Sequence, residues 1–137
     1  MKDLYNKINV QRGLSPVSGA GDTVPQVSQI IDRQGYESVL FAILLGSIAD
    51  ADATFAVTMD DGDDSGLSDA AAVSATDLLG SYSGAGFQFD SDNGVRKIGY
   101  KGNKRYVRLT ITPTANTGAW LVGVAAILGH ASQQPTS

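Results

Sequence analysis

Cysteine is absent from this sequence and histidine occurs once, and the two shortages exclude several kinds of functional site. A chain without cysteine forms no disulfide, no thiolate zinc site and no iron–sulfur cluster, and it has no cysteine nucleophile. His130 is the only imidazole, and it follows Gly129 at the start of a polar tail, a poor place for an oriented catalytic base. We therefore predict that the protein is not an enzyme and has no catalytic residue, cofactor or metal ion.

Long hydrophobic runs are also missing, since no apolar stretch approaches the roughly 20 residues that cross a bilayer. Residues 1–6 lack the basic-then-apolar order of a secretion signal, so we expect no membrane partner and no export by that route. The 137 residues, of which 42% are hydrophobic, suffice for one globular domain and not for two.

Basic residues are missing from one long stretch and crowded into another. Residues 50–92 contain only acidic charges, and the net charge of -4 argues against nucleic acid as a partner. We predict an interface at the basic strip, which comprises Arg96, Lys97, Lys101, Lys104, Arg105 and Arg108. Two alternatives remain open: the strip and the acidic stretch neutralise each other inside one monomer, or the strip is a solvated edge that resists aggregation.

The N-terminal quarter has neither the period-2 nor the period-3.6 spacing of apolar residues. Residues 1–34 are therefore predicted to be an extended arm, with residues 1–25 mobile until a partner orders them. Residues 35–130 are predicted to form a β-sandwich domain, and residues 131–137 a polar C-terminal tail.

Short apolar runs separated by Gly, Asp, Ser and Asn begin at Tyr36, and this spacing is typical of an all-β sandwich or barrel. Residues 37–45 and 119–128 are apolar on both faces, so we expect both strands to be central or covered. Residues 104–112 alternate, which predicts that Val107, Leu109 and Ile111 point inward. The expected strands are residues 37–45, 54–59, 86–90, 95–100, 104–112 and 119–128.

One helix is predicted, at residues 68–79, because Ser68 and Asp69 can cap the apolar run that follows. The Asn93-Gly94 pair is a strong turn signal and predicts a hairpin that joins residues 86–90 to residues 95–100. The predicted fold class is an all-β, antiparallel, jelly-roll-like β-sandwich with seven or eight strands, at most one short helix and an extended N-terminal arm.

The acidic loop at residues 60–69 is a candidate cation site, because its carboxylates alternate around Gly62 in the manner of a calcium loop. The twelfth position of that pattern is Ala72, so the bidentate carboxylate is missing. We predict a solvated acidic loop, and cation binding by it stays open. Residues 18–23 resemble a phosphate loop only superficially, because no Lys follows at the required spacing.

Four segments together resemble a known group of proteins. They are residues 29–39, residues 50–55, residues 95–100 and residues 104–109, which begin with Gln29-Ile30-Ile31, Asp50-Ala51-Asp52, Val95-Arg96-Lys97 and Lys104-Arg105-Tyr106. As a set they resemble small virion proteins encoded among the head genes of tailed phages and prophages. The resemblance spans about residues 26–130, leaves residues 1–25 unmatched and brings no catalytic residues with it.

The resemblance implies a non-enzymatic structural protein of the virion, most simply a decoration or cement protein that binds the phage head and stabilises it. The implied location is the capsid surface, after assembly in the host cytoplasm. The implied partners are the major capsid protein or other virion subunits, together with further copies of the chain. A head–tail connector or tail component is the alternative. From another class, a carbohydrate-binding β-sandwich module would use exposed aromatics among Tyr82, Tyr100 and Tyr106, whereas Trp120 is expected to be buried.

Overall fold

The computed structural model describes residues 2–19 and 24–133. Six long strands are β1 (Ile8–Gly19), β4 (Tyr36–Ile48), β5 (Thr54–Gly62), β9 (Val95–Tyr100), β10 (Tyr106–Thr114) and β11 (Trp120–Ala131). Five two-residue strands are β2 (Gln26–Val27), β3 (Ile31–Asp32), β6 (Ala71–Ala72), β7 (Leu78–Leu79) and β8 (Phe87–Gln88). One helical turn, α1, spans Tyr82–Ala85, and single 3-10 turns occupy Ala75–Asp77 and Phe89–Ser91. In the described parts of the chain, no helix has the length and apolar character needed to span a membrane.

The strands form two antiparallel sheets packed face to face, which confirms the predicted β-sandwich. Sheet A has the order β1-β11-β4-β9-β7. Sheet B has the order β2-β10-β5-β6, with β3 also paired to β10 and β8 also paired to β5. The strand β4 is central in sheet A, as its apolar faces predicted.

Alternating side chains of both sheets meet in one core. The inward positions of β10, Val107, Leu109 and Ile111, are each at most 1% exposed, as predicted. Trp120 is fully buried, and its ring centroid lies 4.7 Å from that of Phe55. Burial of such side chains is the main favourable term in folding, about 1.5–3 kcal/mol for each large apolar residue.

The predicted N-terminal arm is corrected by the structure over most of its described length. The strand β1 lies at the edge of sheet A and pairs with β11 from Ile8, opposite Gly129, to Gly19, opposite Trp120. Two register irregularities, on either side of Leu14, interrupt the pairing. These irregularities break the alternation of apolar residues, which is why the sequence pattern does not reveal the strand. Residues 20–23, and residues 134–137 of the predicted tail, lie outside the described residues.

The predicted helix at residues 68–79 is also wrong. The segment contains β6, a 3-10 turn and β7, and it is anchored by the buried side chains of Val73 and Leu78. Asp69 accepts hydrogen bonds from the backbone N–H groups of Asp63 and Asp64, upstream in the chain, instead of capping a helix. The one α-helical turn lies just downstream, where Ser81 accepts a hydrogen bond from the N–H of Gly84.

The predicted hairpin between residues 86–90 and residues 95–100 is not formed. The strand β8 pairs with β5, whereas β9 pairs with β4 and β7 in the other sheet. Asn93 still adopts the left-handed conformation, with φ at 57°, but the turn that it makes connects the two sheets. Phe87 is buried as expected, and Phe89 is 43% exposed because the chain enters a 3-10 turn there.

Candidate interaction surface

Three members of the basic strip form ion pairs within the monomer. Arg105 lies 2.8 Å from an oxygen of Asp32, Lys104 lies 3.2 Å from Asp63, and Arg108 lies 3.4 Å from Asp60. The register of the sandwich causes these contacts, because β10 lies between β5 and β3 and the acidic residues belong to β3, β5 and the loop after β5. For Lys104 and Arg108, whose partners belong to the acidic stretch, the structure supports the open alternative of neutralisation inside one monomer, whereas the partner of Arg105 lies outside that stretch.

The pKa values of these groups follow from the pairs. Hydrogen bonding to Arg105 is the main cause that lowers the pKa of the Asp32 carboxyl. Hydrogen bonding to Asp63 is the main cause that raises the pKa of Lys104. Both pairs are substantially exposed, so solvent screens them and each is worth little for stability.

The other three members of the strip point to different places. Arg96 donates hydrogen bonds to the carbonyl of Gly86 and the hydroxyl of Ser91, beside β5. Lys97 lies on the outer face of sheet A, and Lys101 lies in the exposed loop after β9. The structure therefore does not bring the six residues onto one surface, and the interface at the strip stays a prediction.

The acidic loop uses its carboxylates to brace its own backbone. Asp64 accepts hydrogen bonds from the N–H groups of Gly66 and Ser68, while Asp69 accepts those of Asp63 and Asp64. These bonds are the main cause that lowers the pKa values of Asp64 and Asp69. Among the described residues, no group of three or more His, Cys, Asp or Glu side chains is arranged to hold a metal ion.

His130 contacts a serine, but the pair lacks the rest of a catalytic arrangement. Its Nδ1 lies 2.6 Å from the hydroxyl of Ser38, and its backbone has a positive φ of 52°. No described carboxylate bonds to the ring, although a catalytic histidine is ordinarily oriented by such a group. The contact lies near the end of the β4–β11 pairing, between the pairs Gly129–Ser38 and Ala131–Tyr36.

The outer face of sheet A is the most distinctive surface of the described structure. Cross-strand partners share a face, so the register places Leu44 beside Val95, and Leu40 beside both Gly99 and Ile127. The large apolar residues on this face that are at least 41% exposed are Val10, Leu44, Leu79, Val95 and Leu121. Exposed apolar residues are ordinary one at a time, whereas several on one sheet face make that face a candidate interaction surface.

Two glycines of this sheet lie directly beside leucine side chains of neighbouring strands. A Cβ at Gly99 would lie 3.0 Å from the Cβ of Leu79, and a Cβ at Gly46 would lie 2.8 Å from the Cβ of Leu121. Both leucines therefore lie across a neighbouring strand instead of standing away from the sheet. The two leucines thus cover glycine backbone of the adjacent strands with apolar side chains.

A groove of about 560 Å³ crosses one end of the face. Its lining is mainly apolar and includes Leu4 and Ile8 from the N-terminal segment, and Leu40, Leu79 and Ile127 from the sheet. Ile8 thus contributes to this surface as the first residue of β1 in sheet A, and Leu4 contributes from the residues that precede β1.

The charges on the outer face of sheet A have one sign. The register places Arg12 and Lys97 at strand positions of this face, and no acidic residue occupies any of its described strand positions. Lys7 lines the groove at its end. The sequence signal for this surface was available, because residues 37–45 and 119–128 are apolar on both faces.

Comparisons with known proteins give structural similarity only. No protein family and no curated protein sequence matches the chain. A family two carbohydrate esterase from Cellvibrio japonicus is similar with a TM-score of 0.46 and 9% identity, over 96% of this chain and 33% of that one. The CBM22-1 and GH10 modules of a Clostridium thermocellum xylanase, complexed with xylohexaose, are similar with a TM-score of 0.45 and 11% identity, over 97% of this chain and 28% of that one. The CBM32 of AlyQ, in complex with 4,5-unsaturated mannuronic acid, is similar with a TM-score of 0.40 and 13% identity, over 93% of this chain and 98% of that one.

The chain therefore spans a third or less of the first two proteins. At these identities and TM-scores, the similarities carry no inference about what the chain binds. Of the aromatics considered for a carbohydrate module, Tyr100 is 1% exposed and Trp120 is fully buried. Tyr106 lies beneath the Arg105 guanidinium, 5.0 Å from its carbon, and Tyr82 lines a cleft beside β5.

Proposed function

We propose that the chain is a non-enzymatic structural protein of a phage virion, which decorates the capsid surface and attaches through the outer face of sheet A. The observation that carries the proposal is the set of exposed apolar residues on one sheet face, which includes Leu44, Leu79 and Val95. An isolated globular domain rarely leaves such a surface in water, whereas a subunit that is completed by a neighbour does. The resemblance of the sequence to head-gene products supports the same role.

The partner that fits this face has an apolar centre and acidic residues around it. Lys97 and Arg12 are the charges at the strand positions of the face, so a second copy that packed on it face to face would bring cations together. An acidic rim on the partner would instead complement both residues. We therefore commit to a subunit of the phage head, in the first place the major capsid protein, as the occupant.

Attachment to heads tests the proposal directly. Purified protein is mixed with empty heads of the tailed phage or prophage whose genome carries the gene, and binding is measured by co-sedimentation and by imaging. The change Leu44→Asp places a carboxylate at the centre of the face and should weaken attachment at least about tenfold, since desolvating an unpaired charge costs more than 1.4 kcal/mol.

The matched control is Thr114→Asp, which adds the same charge at an exposed position on the opposite sheet. We expect this variant to attach as the parent does and both variants to keep the parent's thermal midpoint. Equal attachment of Leu44→Asp and the parent would refute the proposal. Dissociation of a soluble oligomer by Leu44→Asp, without an effect on heads, would show that a second copy occupies the face.

A carbohydrate-binding module is the second candidate function. The observation that favours it is the polar cleft beside β5, to which Tyr82 contributes an aromatic ring. The two functions use different surfaces, so variants can separate them. A head–tail connector or tail component would use the outer face of sheet A in the same way, and imaging of particles distinguishes its position from that of a capsid decoration.

A further inference from the structure

A cleft of about 650 Å³ lies beside β5, away from the outer face of sheet A. Its walls come from β5, α1, β8, the 3-10 turn at Phe89–Ser91 and the side chain of Arg96. Most of the side chains that line it can hydrogen-bond, and they include Thr54, Thr58, Ser83, Gln88, Asp90 and Ser91.

Part of the wall is an unpaired stretch of strand edge. On this side of β5, β8 pairs with Thr54 and Phe55, and β6 pairs with Asp60 and Asp61. No described strand pairs with residues 56–58 on that edge, and these residues line the cleft. The gap is short and lies among polar side chains, so it fits a compact ligand that takes hydrogen bonds from backbone and side chains together.

The charges of the cleft balance. Arg96 and Asp90 are its only charged lining residues among those described, so the lining has no net charge. Arg96 is held in place, because its Nη2 lies 2.9 Å from the Ser91 hydroxyl and its Nη1 lies 3.2 Å from the Val95 carbonyl. Its Nε donates to the carbonyl of Gly86 at 3.4 Å, which leaves two of its five N–H groups for a ligand.

Tyr82 supplies an aromatic ring in a fixed orientation. Its hydroxyl lies 2.6 Å from the carbonyl oxygen of Val73 and 3.2 Å from that of Met59. The ring is therefore tied to the scaffold at its far end while it lines the cleft. A fixed aromatic ring offers an apolar surface beside the polar groups, a combination that fits a ligand with both C–H faces and hydroxyl edges.

We propose that this cleft binds a neutral oligosaccharide. Hydroxyl groups both donate and accept, which matches a lining made of hydroxyls, an amide, one carboxylate and one guanidinium. A metal ion is disfavoured, since the described residues contain no cluster of three metal-binding side chains. The inference deepens the second candidate function and is independent of attachment through sheet A.

The test is titration of the isotope-labelled full chain with neutral hexaoses built from xylose, glucose or mannose, followed by NMR. We expect at least one hexaose to shift the backbone signals of residues 82–91 and Arg96 in a saturable way. Gln88→Ala should weaken that binding roughly three- to tenfold, because it removes an amide that faces the ligand. Asp90→Asn keeps the shape of the cleft and should weaken binding less.

Leu44→Asp is the matched control, and we expect it to bind the hexaose as the parent does although it fails to attach to heads. Gln88→Ala should show the converse behaviour, so failure of either function is distinguishable from failure of the other. No saturable shift with any neutral hexaose would overturn the inference. Shifts confined to an oligomer of glucuronic acid, or obtained only with an extended peptide, would overturn it as well.

Discussion

The two sheets of this sandwich share one core, but the side chains on their outer faces differ in chemistry. The outer face of sheet B consists of alternate residues of β5 and β10, and cross-strand partners such as Thr58 and Thr110 place hydroxyls in water. Its charges are paired, as in Arg108 with Asp60. The outer face of sheet A has Leu44 and Val95 at comparable positions.

The difference lies in how well water can solvate the side chains of each outer face. Threonine combines the β-branched shape that favours strands with a hydroxyl that water can satisfy, so the positions that it occupies in sheet B need no further cover. Leucine and valine give sheet A the same local geometry and leave apolar area in contact with water. Under the proposed function, a partner surface removes this area from water, and burial yields about 25 cal/mol per Å².

The largest expected difference in the free energy of unfolding is between substitutions on the inner side and on the outer side of β4. Phe41 is fully buried, so Phe41→Ala should lower the free energy of unfolding by about 3–5 kcal/mol through lost burial and a cavity. Leu44→Ala, on the other side of the same strand, should change it by no more than about 0.5 kcal/mol in the isolated protein. Urea denaturation measures both values. A large loss for Leu44→Ala would mean that the outer face is covered within the chain itself.

A smaller effect on stability is expected from removing the hydroxyl of the buried Tyr100. Tyr100 donates a hydrogen bond of 2.7 Å to Asp61 and accepts one of 2.9 Å from the N–H of Lys104. Burial is the main cause that raises the pKa of its hydroxyl, so the group stays neutral and can donate. Tyr100→Phe should cost about 1–2 kcal/mol in urea denaturation, because the hydroxyl is buried and bonded.

Tyr106→Phe is the matched control for that change. The Tyr106 ring lies under Arg105 on the outer face of sheet B, and no described group bonds to its hydroxyl. Its removal should shift stability by no more than about 0.5 kcal/mol. Equal losses for the two variants would contradict the hydrogen-bonded role of Tyr100.

We expect acid to weaken the ion pair between Asp32 and Arg105. The pKa of Asp32 is lowered in the folded protein, mainly by hydrogen bonding to Arg105. A lowered pKa contributes stability that is present above the unfolded value of about 3.9 and is lost as pH falls through the folded value. Asp32→Asn should therefore cost less than about 1 kcal/mol at neutral pH, and the deficit should vanish as the parent is acidified.

Thermal unfolding of parent and variant across a pH series checks this expectation. Asp52→Asn serves as the control, because the Asp52 side chain has no ion pair within the described residues. A deficit for Asp32→Asn that stayed constant down to the lowest pH would show that the carboxylate charge is not what stabilises the pair.

The fold could be predicted from the sequence where one residue pattern decided the outcome. The alternation around Val107, Leu109 and Ile111 defined β10, and the doubly apolar pattern of residues 37–45 placed β4 at the centre of a sheet. Prediction failed where tertiary pairing decided the outcome. Leu14 lies between two register irregularities, so β1 has no readable period, and Asp69 braces a loop although its sequence position suits a helix cap.

The candidate site could likewise be predicted where a pattern within one strand decided the outcome, and not where the pairing of strands decided it. The sequence correctly identified a surplus of apolar strand faces, because alternation is visible in one strand at a time. It grouped Arg96 with Lys104 and Arg105 because they are close in the chain, and only the pairing of strands separates them. Asp32 and Arg105 are 73 residues apart, so their ion pair depends on β3 lying beside β10.

Of the predicted effects, the contribution of single lysines to attachment should be the smallest. Lys97 lies on the outer face of sheet A with no ion pair in the described structure, whereas Lys104 and Arg105 are paired with acidic groups of the same monomer. Lys97→Ser should therefore slow attachment to heads about two- to threefold, since one charge steers encounter weakly and is screened over about 8–10 Å at ordinary salt. The double change Lys104→Ser with Arg105→Ser should leave attachment unchanged although it removes more charge. Association rates measured across a salt series decide between the two surfaces: a slower, less salt-dependent rate for the double variant alone would move the interface from sheet A to the charged end of sheet B.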